Sequence, residues 1–237
     1  STTPEGEQVN IYGNHVGSWN FAATAYLNQW KVKIYYEHYF DDHSQMFFQY
    51  GRWKDGHIGL EITFPKNRFI DTFVYEGLGT KDQTGPMLYD SFWGEFEEQI
   101  SAKDNYYNHY LYQGWQHWGM GIGNPLLPGP IYNKNGQITF ISNRVLAHHI
   151  GFCGSPCQSL SYRMLLSYSR HWGTYDNPLN EIKKQFNSLF EVTYAPQQLK
   201  GWSFTVSGAM DRGSMLGNNY GGMLVIRKQG IIKSGNK

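Results

Sequence analysis

The stretch from Asp104 to Gly119, DNYYNHYLYQGWQHWG, mixes aromatic rings with amide and imidazole groups. Sugars present apolar ring faces and many hydroxyls, so aromatic side chains edged by hydrogen-bonding groups suit them as a binding surface. The stretch therefore predicts a glycan-binding surface. Its candidate residues are Tyr106, Tyr107, Asn108, His109, Trp115, Gln116, His117 and Trp118. The alternative is that these rings serve packing, because aromatic side chains bury large apolar areas.

Acidic groups in the preceding segment, DSFWGEFEEQISAKD, suggest a second chemistry. Hydrolysis of a glycosidic bond requires two carboxyl groups at a set separation. The segment supplies Asp90, Glu95, Glu97, Glu98 and Asp104. However, Glu95 and Glu98 have the spacing of a solvated helix face, and a cluster of acids alone is not specific for catalysis. We therefore predict that the chain is not an enzyme and has no catalytic residue.

Histidines and carboxylates in EHYFDDHSQ could bind a cation, but their spacing matches no strong metal motif. These residues are His38, Asp41, Asp42 and His43. A solvated outer loop is the preferred interpretation. His148 and His149 are adjacent on a candidate strand, so they point to opposite faces and cannot share one metal ion. GMGIGNP lacks the strand–turn–helix setting of a dinucleotide fingerprint. We predict neither a metal nor another cofactor.

Composition limits the class of protein. The 237 residues carry a net charge of +1, which argues against nucleic acid as a partner. Aromatic residues make up 17% and charged residues 16%, a balance typical of β-rich proteins. The chain has no apolar run long enough for a transmembrane helix. Cys153 and Cys157 lie in a Gly/Pro-containing segment, where they form either a small disulfide or two inert thiols.

Apolar and polar residues alternate along most of the chain, which is the pattern of strands with one apolar face. Regular alternation covers 19–27, 30–37, 58–64, 160–169, 188–194 and 202–211. Less regular candidates are 69–78 and 143–152, and the last candidate strand is 220–228. The polar faces carry charges of both signs, which predicts ion pairs among Lys31, Lys33, Glu37, Glu61, Arg163 and Glu191.

The links between these strands alternate in length. Short links are 28–29, 65–67, 153–158 and 195–201, and long ones are 39–54, 79–142, 171–186 and 212–219. Aromatic residues gather near strand ends: Trp19, Trp30, Tyr36, Phe64, Tyr194 and Trp202. Short periplasmic turns, long extracellular loops and aromatic girdles are typical of an antiparallel transmembrane β-barrel. A soluble β-sandwich or lipocalin-like barrel is the alternative, since its strands alternate in the same way.

Counting strands leads to an expectation about the whole barrel. The pattern gives about nine strands, or ten if QVNIY is one. An odd number would leave the amino terminus outside, which a complete bacterial barrel avoids. The start of the chain, STTPEGEQVN, shows neither a signal peptide nor an initiator Met. We therefore predict one barrel domain over 1–237, with the long loop 79–142 inside it, as the carboxyl-terminal part of a larger barrel.

Several longer segments resemble the Wzi-type capsule-assembly proteins in their Bacteroides-like form. They are VNIYGNHVGSWNF, YYEHYFDDHSQMFFQYG, GTKDQTGP, DNYYNHYLYQGWQHWGMGIGNPLL, SYSRHWGTYD and DRGSMLGNNYGGMLVIRK. The resemblance covers nearly the whole chain, to the carboxyl-terminal half of the family. It implies an outer-membrane β-barrel, without catalysis, that helps hold capsular polysaccharide on the cell surface. The implied partners are that polysaccharide and outer-membrane lipid. Alternative functions are a diffusion channel and a surface glycan hydrolase.

Overall fold

The computed structural model describes residues 17–40, 55–67, 69–83, 85, 103–109 and 113–230. Nine of its strands form one antiparallel sheet in which each strand pairs with its neighbour along the chain. These strands are β1 (Gly17–Leu27), β2 (Trp30–Phe40), β3 (Gly56–Thr63), β4 (Thr72–Gly79), β7 (Val145–Cys157), β8 (Leu160–Gly173), β9 (Pro178–Tyr194), β10 (Trp202–Gly213) and β11 (Asn219–Lys228). The chain is thus all-β, as the alternation predicts, and β1 and β11 are the two edges of the sheet.

The connection from β4 to β7 is the long loop, residues 80–144. It contains two very short strands, β5 (Gln116–His117) and β6 (Met120–Gly121), which pair with each other in a separate small sheet. A 3-10 turn covers Pro130–Tyr132. None of the described residues belongs to a helix that is long and apolar enough to cross a membrane.

The turn between β1 and β2 shows how local sequence sets the register. Leu27 pairs directly with Trp30, which leaves Asn28 and Gln29 as a two-residue connection. Asn28 has φ 57, a left-handed conformation that Asn tolerates better than most side chains. The register that follows brings Phe21 opposite Tyr36 and so keeps aromatic residues on one face of the hairpin.

Two of the predicted long links are wrong. β8 and β9 continue to Gly173 and from Pro178, so only 174–177 separate them, where 171–186 was expected as a loop. Likewise only 214–218 separate β10 from β11. The sequence hides these extensions because basic residues replace the apolar ones there, while backbone pairing continues, for example between Arg170 and Lys184. The predicted alternation of short and long links therefore fails at the end of the sheet where the long loop leaves it. The strands β7, β8 and β9 are also longer than ten residues.

The segment with the two cysteines also differs from expectation. β7 runs through to Cys157, so the turn consists of Gln158 and Ser159 rather than 153–158. A register shift between Gly154 and Cys157 accommodates the extra residue of the bulge. Both thiols are free, with Cys153 half-buried and Cys157 exposed.

The nine-stranded sheet has two unlike faces. Cross-strand register places on one of them, the apolar face, residues such as Phe21, Ile34, Ile58, Ile150, Phe190, Val206 and Leu224. The opposite, polar face carries Lys31, Glu37, His57, Glu76, His149, Arg163 and Glu191. The seven apolar side chains named are between 37% and 64% exposed. An apolar face this extended and this open is unusual for a protein surface in water.

The buried apolar cluster lies on the other side of the sheet. It consists of Leu78, Leu127, Phe140, Val145 and Ala147. Leu78 and Ala147 are on the polar face of β4 and β7, near the end where the long loop leaves the sheet. Leu127 and Phe140 come from the long loop itself. The loop therefore folds back and packs against the polar face, and the apolar face contributes nothing to this core.

Candidate functional site

Asparagine side chains hold the long loop in place. Asn108 binds both backbone groups of Phe140: its Oδ1 accepts a hydrogen bond from the nitrogen at 2.8 Å, and its Nδ2 donates to the oxygen at 2.9 Å. Asn143 donates from Nδ2 to the carbonyl oxygen of Tyr106 at 2.9 Å. The carbonyl oxygen of Asn143 in turn accepts a hydrogen bond from Thr80 Oγ1 at 2.7 Å. Two remote parts of the loop are thus joined to each other and to the end of β4.

A buried carboxylate fixes the part of the loop that follows β4. Asp55, at 2% exposure, accepts hydrogen bonds from the backbone nitrogens of Asp82 and Gln83 at 2.8 and 2.6 Å. The hydroxyl of Tyr106 donates a third one at 3.1 Å. Burial raises the pKa of Asp55 to about 6, and the three hydrogen bonds oppose that rise without cancelling it. Asp55 therefore links the start of β3 to the residues that follow β4 and to Tyr106 in the aromatic stretch of the loop.

The rings of the loop pack around this scaffold. Tyr107 lies between Trp115 and Phe140, with ring centroids 5.7 and 5.2 Å away. Its hydroxyl oxygen accepts a hydrogen bond from the nitrogen of Asn124 at 3.2 Å. The cavity beside these rings measures about 20 Å³ and is lined by Tyr39, Tyr107 and Leu127, among others. Such a space holds a water molecule at most and cannot admit a sugar ring.

Trp118 lies at the tip of the β5–β6 hairpin and has a different environment from Trp115. Its side chain is 85% exposed, and its φ of 53 is left-handed, as is the φ of 79 at Gly119. Two successive residues with positive φ make the hairpin turn that normally selects Asn-Gly or Gly-Gly. A tryptophan in that conformation is unusual, and Gln116 supports it by accepting a hydrogen bond from the nitrogen of Gly119 at 2.8 Å.

The eight predicted glycan-binding residues therefore divide into two groups. Tyr106, Tyr107, Asn108, His109, Trp115 and Gln116 are buried or half-buried. His117 and Trp118 are exposed, and their rings meet edge to face at 6.2 Å. The packing alternative thus describes the position of the first group, and among the eight residues only the two at the hairpin tip are exposed.

The polar face of the sheet contains a row of connected ionisable groups. His57 lies between two glutamates, with Nδ1 3.7 Å from Glu37 and Nε2 3.5 Å from Glu76. Tyr35 donates a hydrogen bond to Glu76, and Ser18 donates one to Glu37 at 2.8 Å. Glu37 and His57 pair directly across β2 and β3. Tyr35 reaches Glu76 on β4 over Gly59, so the row extends from β1 to β4. Alternation in the sequence places Glu37 on the polar face, but His57 and Glu76 join it there only through the cross-strand register.

Two of the expected ion pairs are present on this face. Lys31 lies 3.2 Å from Glu61, and Arg163 lies 3.3 Å from Glu191. The second pair borders a cavity of about 240 Å³, which Asp71 and Cys153 also line. That volume is below the usual range for small-molecule sites, which begins at about 300 Å³. We therefore do not regard this cavity as the principal site.

The remaining candidates from the sequence have mixed outcomes. Asp90, Glu95, Glu97 and Glu98 lie outside the described residues, as do Asp41, Asp42 and His43. Asp104 is half-buried and His38 is fully buried. In the part of the chain that the structure describes, no group of three or more His, Cys, Asp or Glu residues could hold a metal ion.

The two adjacent histidines confirm the expectation that they point to opposite faces. Nδ1 of His148 is 2.8 Å from the hydroxyl of Tyr75 on the apolar face. Nδ1 of His149 is 2.7 Å from Oγ of Ser167 on the polar face. Each imidazole therefore forms a separate hydrogen bond to a neighbouring strand.

Comparisons with known proteins give no match to any family model, any curated protein or any solved structure.

Proposed function

We propose that the sheet forms the wall of an outer-membrane β-barrel that helps attach capsular polysaccharide to the bacterial surface. The observation that carries this proposal is that the two faces of the sheet are exposed and buried in the opposite way to those of a water-soluble β-sheet protein. The apolar face is open, while the buried core lies against the polar face. A barrel in a bilayer has this arrangement, because its outer side contacts lipid and its polar interior can hold a folded loop.

The length of the apolar face supports a membrane setting. On β8 it extends from Leu160 to Tyr168, which corresponds to about 27 Å along the strand and roughly 20 Å at a tilt of 40°. A transmembrane barrel exposes an apolar band about 25 Å tall. Aromatic residues gather at the end of the sheet opposite the long loop, where the ring centroids of Trp30 and Phe64 are 5.1 Å apart. Aromatic rings at the end of an apolar face are suited to the interface between membrane and water.

The long loop favours attachment over conduction. Its apolar core and asparagine contacts lie across the polar face at one end of the sheet, where a channel would need an open mouth. Basic and acidic side chains form ion pairs on that face, and a surface with charges of both signs does not suit a strongly selective pore. The exposed ring of Trp118 beside His117 then supplies a contact surface for sugar at the outer end. In this proposal the chain has no catalytic role, and its partners are polysaccharide and lipid.

The proposal is tested in a capsulated strain that lacks the gene and expresses the full chain from a plasmid. We expect the wild-type chain to fractionate with the outer membrane and to restore cell-bound capsule, measured as glycan retained after washing. Trp118→Ala should reach the membrane in normal amounts but release more glycan into the medium. Lys134→Ala, in the same loop, is the matched control and should behave as wild type. Normal capsule retention without the protein would overturn the proposal.

A further inference from the structure

Basic side chains lie where the apolar face ends, on the side of the long loop. On β8, Tyr168 is followed on the same face by Arg170 and Trp172. On β9, Phe186 is followed toward the loop by Lys184, and on β10 Met210 is followed by Arg212. Arg170, Lys184 and Arg212 are all exposed. We call these three residues the basic rim.

Two further cations adjoin the basic rim. Nζ of Lys81 lies 4.9 Å from the centre of the Trp172 ring, and the guanidinium of Arg170 lies 5.0 Å from it. Arg144, next along the sheet, stacks 3.7 Å from the ring of Tyr175 and donates a hydrogen bond to the carbonyl of Lys81 at 3.0 Å. These aromatic contacts hold the basic groups in fixed positions, although they do not neutralise their charge.

The arrangement places like charges next to each other. Arg170 and Lys184 are directly opposite each other on neighbouring strands, and like charges in that position destabilise a sheet. Among the described residues, no carboxylate lies within ion-pair distance of Arg170, Lys184 or Arg212. Asp176, at the same end, is 3.9 Å from Lys103 instead. A bound anion would remove the repulsion.

We propose that the basic rim binds the phosphate groups of an anionic glycolipid in the outer leaflet, whose acyl chains lie along the apolar face. This inference rests on the membrane position proposed above. Its own support is that the apolar face continues directly into the basic rim. A phosphorylated lipid likewise has its phosphate groups next to its acyl chains, so both parts of one lipid molecule can contact the sheet at once. Arginine and lysine are the usual partners of phosphate groups at a membrane surface.

The test uses the full chain reconstituted in phosphatidylcholine vesicles with diphosphoryl lipid A or with its dephosphorylated form. Flotation of the chain with vesicles of phosphatidylcholine alone reports membrane insertion and thus checks the proposed function separately. Lipid binding is then titrated by native mass spectrometry in a neutral detergent. We expect tighter binding of the diphosphoryl form, and a loss of roughly 10- to 100-fold in Arg170→Gln/Lys184→Gln/Arg212→Gln.

Charge-matched substitutions at the opposite end provide the control. Lys66→Gln/Lys200→Gln/Arg227→Gln removes the same charge at the end of the sheet opposite the long loop and should leave lipid A binding unchanged. Equal affinity for both lipid forms would overturn the inference while leaving the membrane proposal intact. Unchanged binding by the rim variant, or full competition by water-soluble glucosamine 1-phosphate or by an acidic polysaccharide, would also overturn it. Failure to float with any vesicles would overturn both proposals together.

Discussion

The hydroxyl of Tyr106 donates a hydrogen bond to Oδ2 of Asp55 at 3.1 Å, with both side chains almost completely buried. This contact joins the aromatic stretch of the long loop to the residue that precedes β3. It explains why a tyrosine that resembles a sugar-binding residue in the sequence serves instead to fix the loop. The same contact makes the position of the loop sensitive to the ionisation of one carboxyl group.

Asp55 should make the loop contact dependent on pH. Its pKa is about 6 in the folded chain and 3.8 in an unfolded one, because burial disfavours the charged carboxylate. Between these values the folded state binds more protons, so its stability decreases as pH rises. This contribution is complete below pH 3.8 and lost above about pH 6. We expect thermal unfolding in detergent to show that slope, and Asp55→Asn to flatten it; a wild-type profile without the slope would contradict the assignment.

Trp115 and Trp118 should respond differently to truncation. Trp115 packs against Tyr107 and the buried cluster, so Trp115→Ala should destabilise the protein by about 1.5–3 kcal/mol. Trp118 is exposed, and Trp118→Ala should change stability by no more than about 0.5 kcal/mol. Chemical denaturation in micelles measures both. If Trp118→Ala proved as destabilising as Trp115→Ala, the exposed position of the Trp118 side chain would be contradicted.

Gly59 should not tolerate a side chain. It pairs with Tyr35, and a Cβ at position 59 would overlap the tyrosine ring. Gly59→Ala should therefore cost about 1–3 kcal/mol, the usual range for overpacking. Gly208 is the matched control, because a Cβ there meets nothing within 4 Å. Denaturation midpoints compare the two variants, and equal midpoints would argue against the close approach of Tyr35 to β3.

The asparagine contacts of the loop should control conduction. With Asn108 and Asn143 intact, the loop covers one end of the polar face, so planar bilayers should show little steady current. Removing both contacts in Asn108→Ala/Asn143→Ala should release the loop and produce frequent openings, since each lost buried hydrogen bond costs about 1–3 kcal/mol. Asn135→Ala, on an exposed part of the loop, is the control. Steady wild-type current would favour the channel function.

The sequence predicted the parts of the fold that depend on neighbouring residues. Alternation located the β1–β2 hairpin and the faces of Ile34 and Glu37, because side chains on a strand alternate strictly. It missed the outer ends of β8 and β9, where Arg170 and Lys184 replace apolar residues although the strands still pair. The alternation of apolar and polar residues can be seen in a sequence. The backbone pairing of two strands does not depend on that alternation, so it cannot be seen there.

The arrangement of the site was less predictable for a similar reason. Trp115 and Trp118 occur in one motif, yet one packs against the core and the other is exposed at a turn. Contacts far apart along the chain decide this difference, among them the bond between Asp55 and Tyr106. Composition indicated a surface rich in rings and amides, and tertiary packing then left only His117 and Trp118 exposed among the eight predicted residues.

Labelling both faces of β10 tests the central claim most directly. With Cys153 and Cys157 replaced by serine, a single cysteine at Val206 or at Ser207 would carry an environment-sensitive fluorophore in reconstituted vesicles. Val206 is on the apolar face at 61% exposure, and Ser207 is buried on the polar face. We predict that quenchers attached to lipid acyl chains act strongly on the label at 206 and weakly on the label at 207. Equal quenching at the two positions, or access of aqueous iodide to the label at 206, would contradict a lipid-facing sheet.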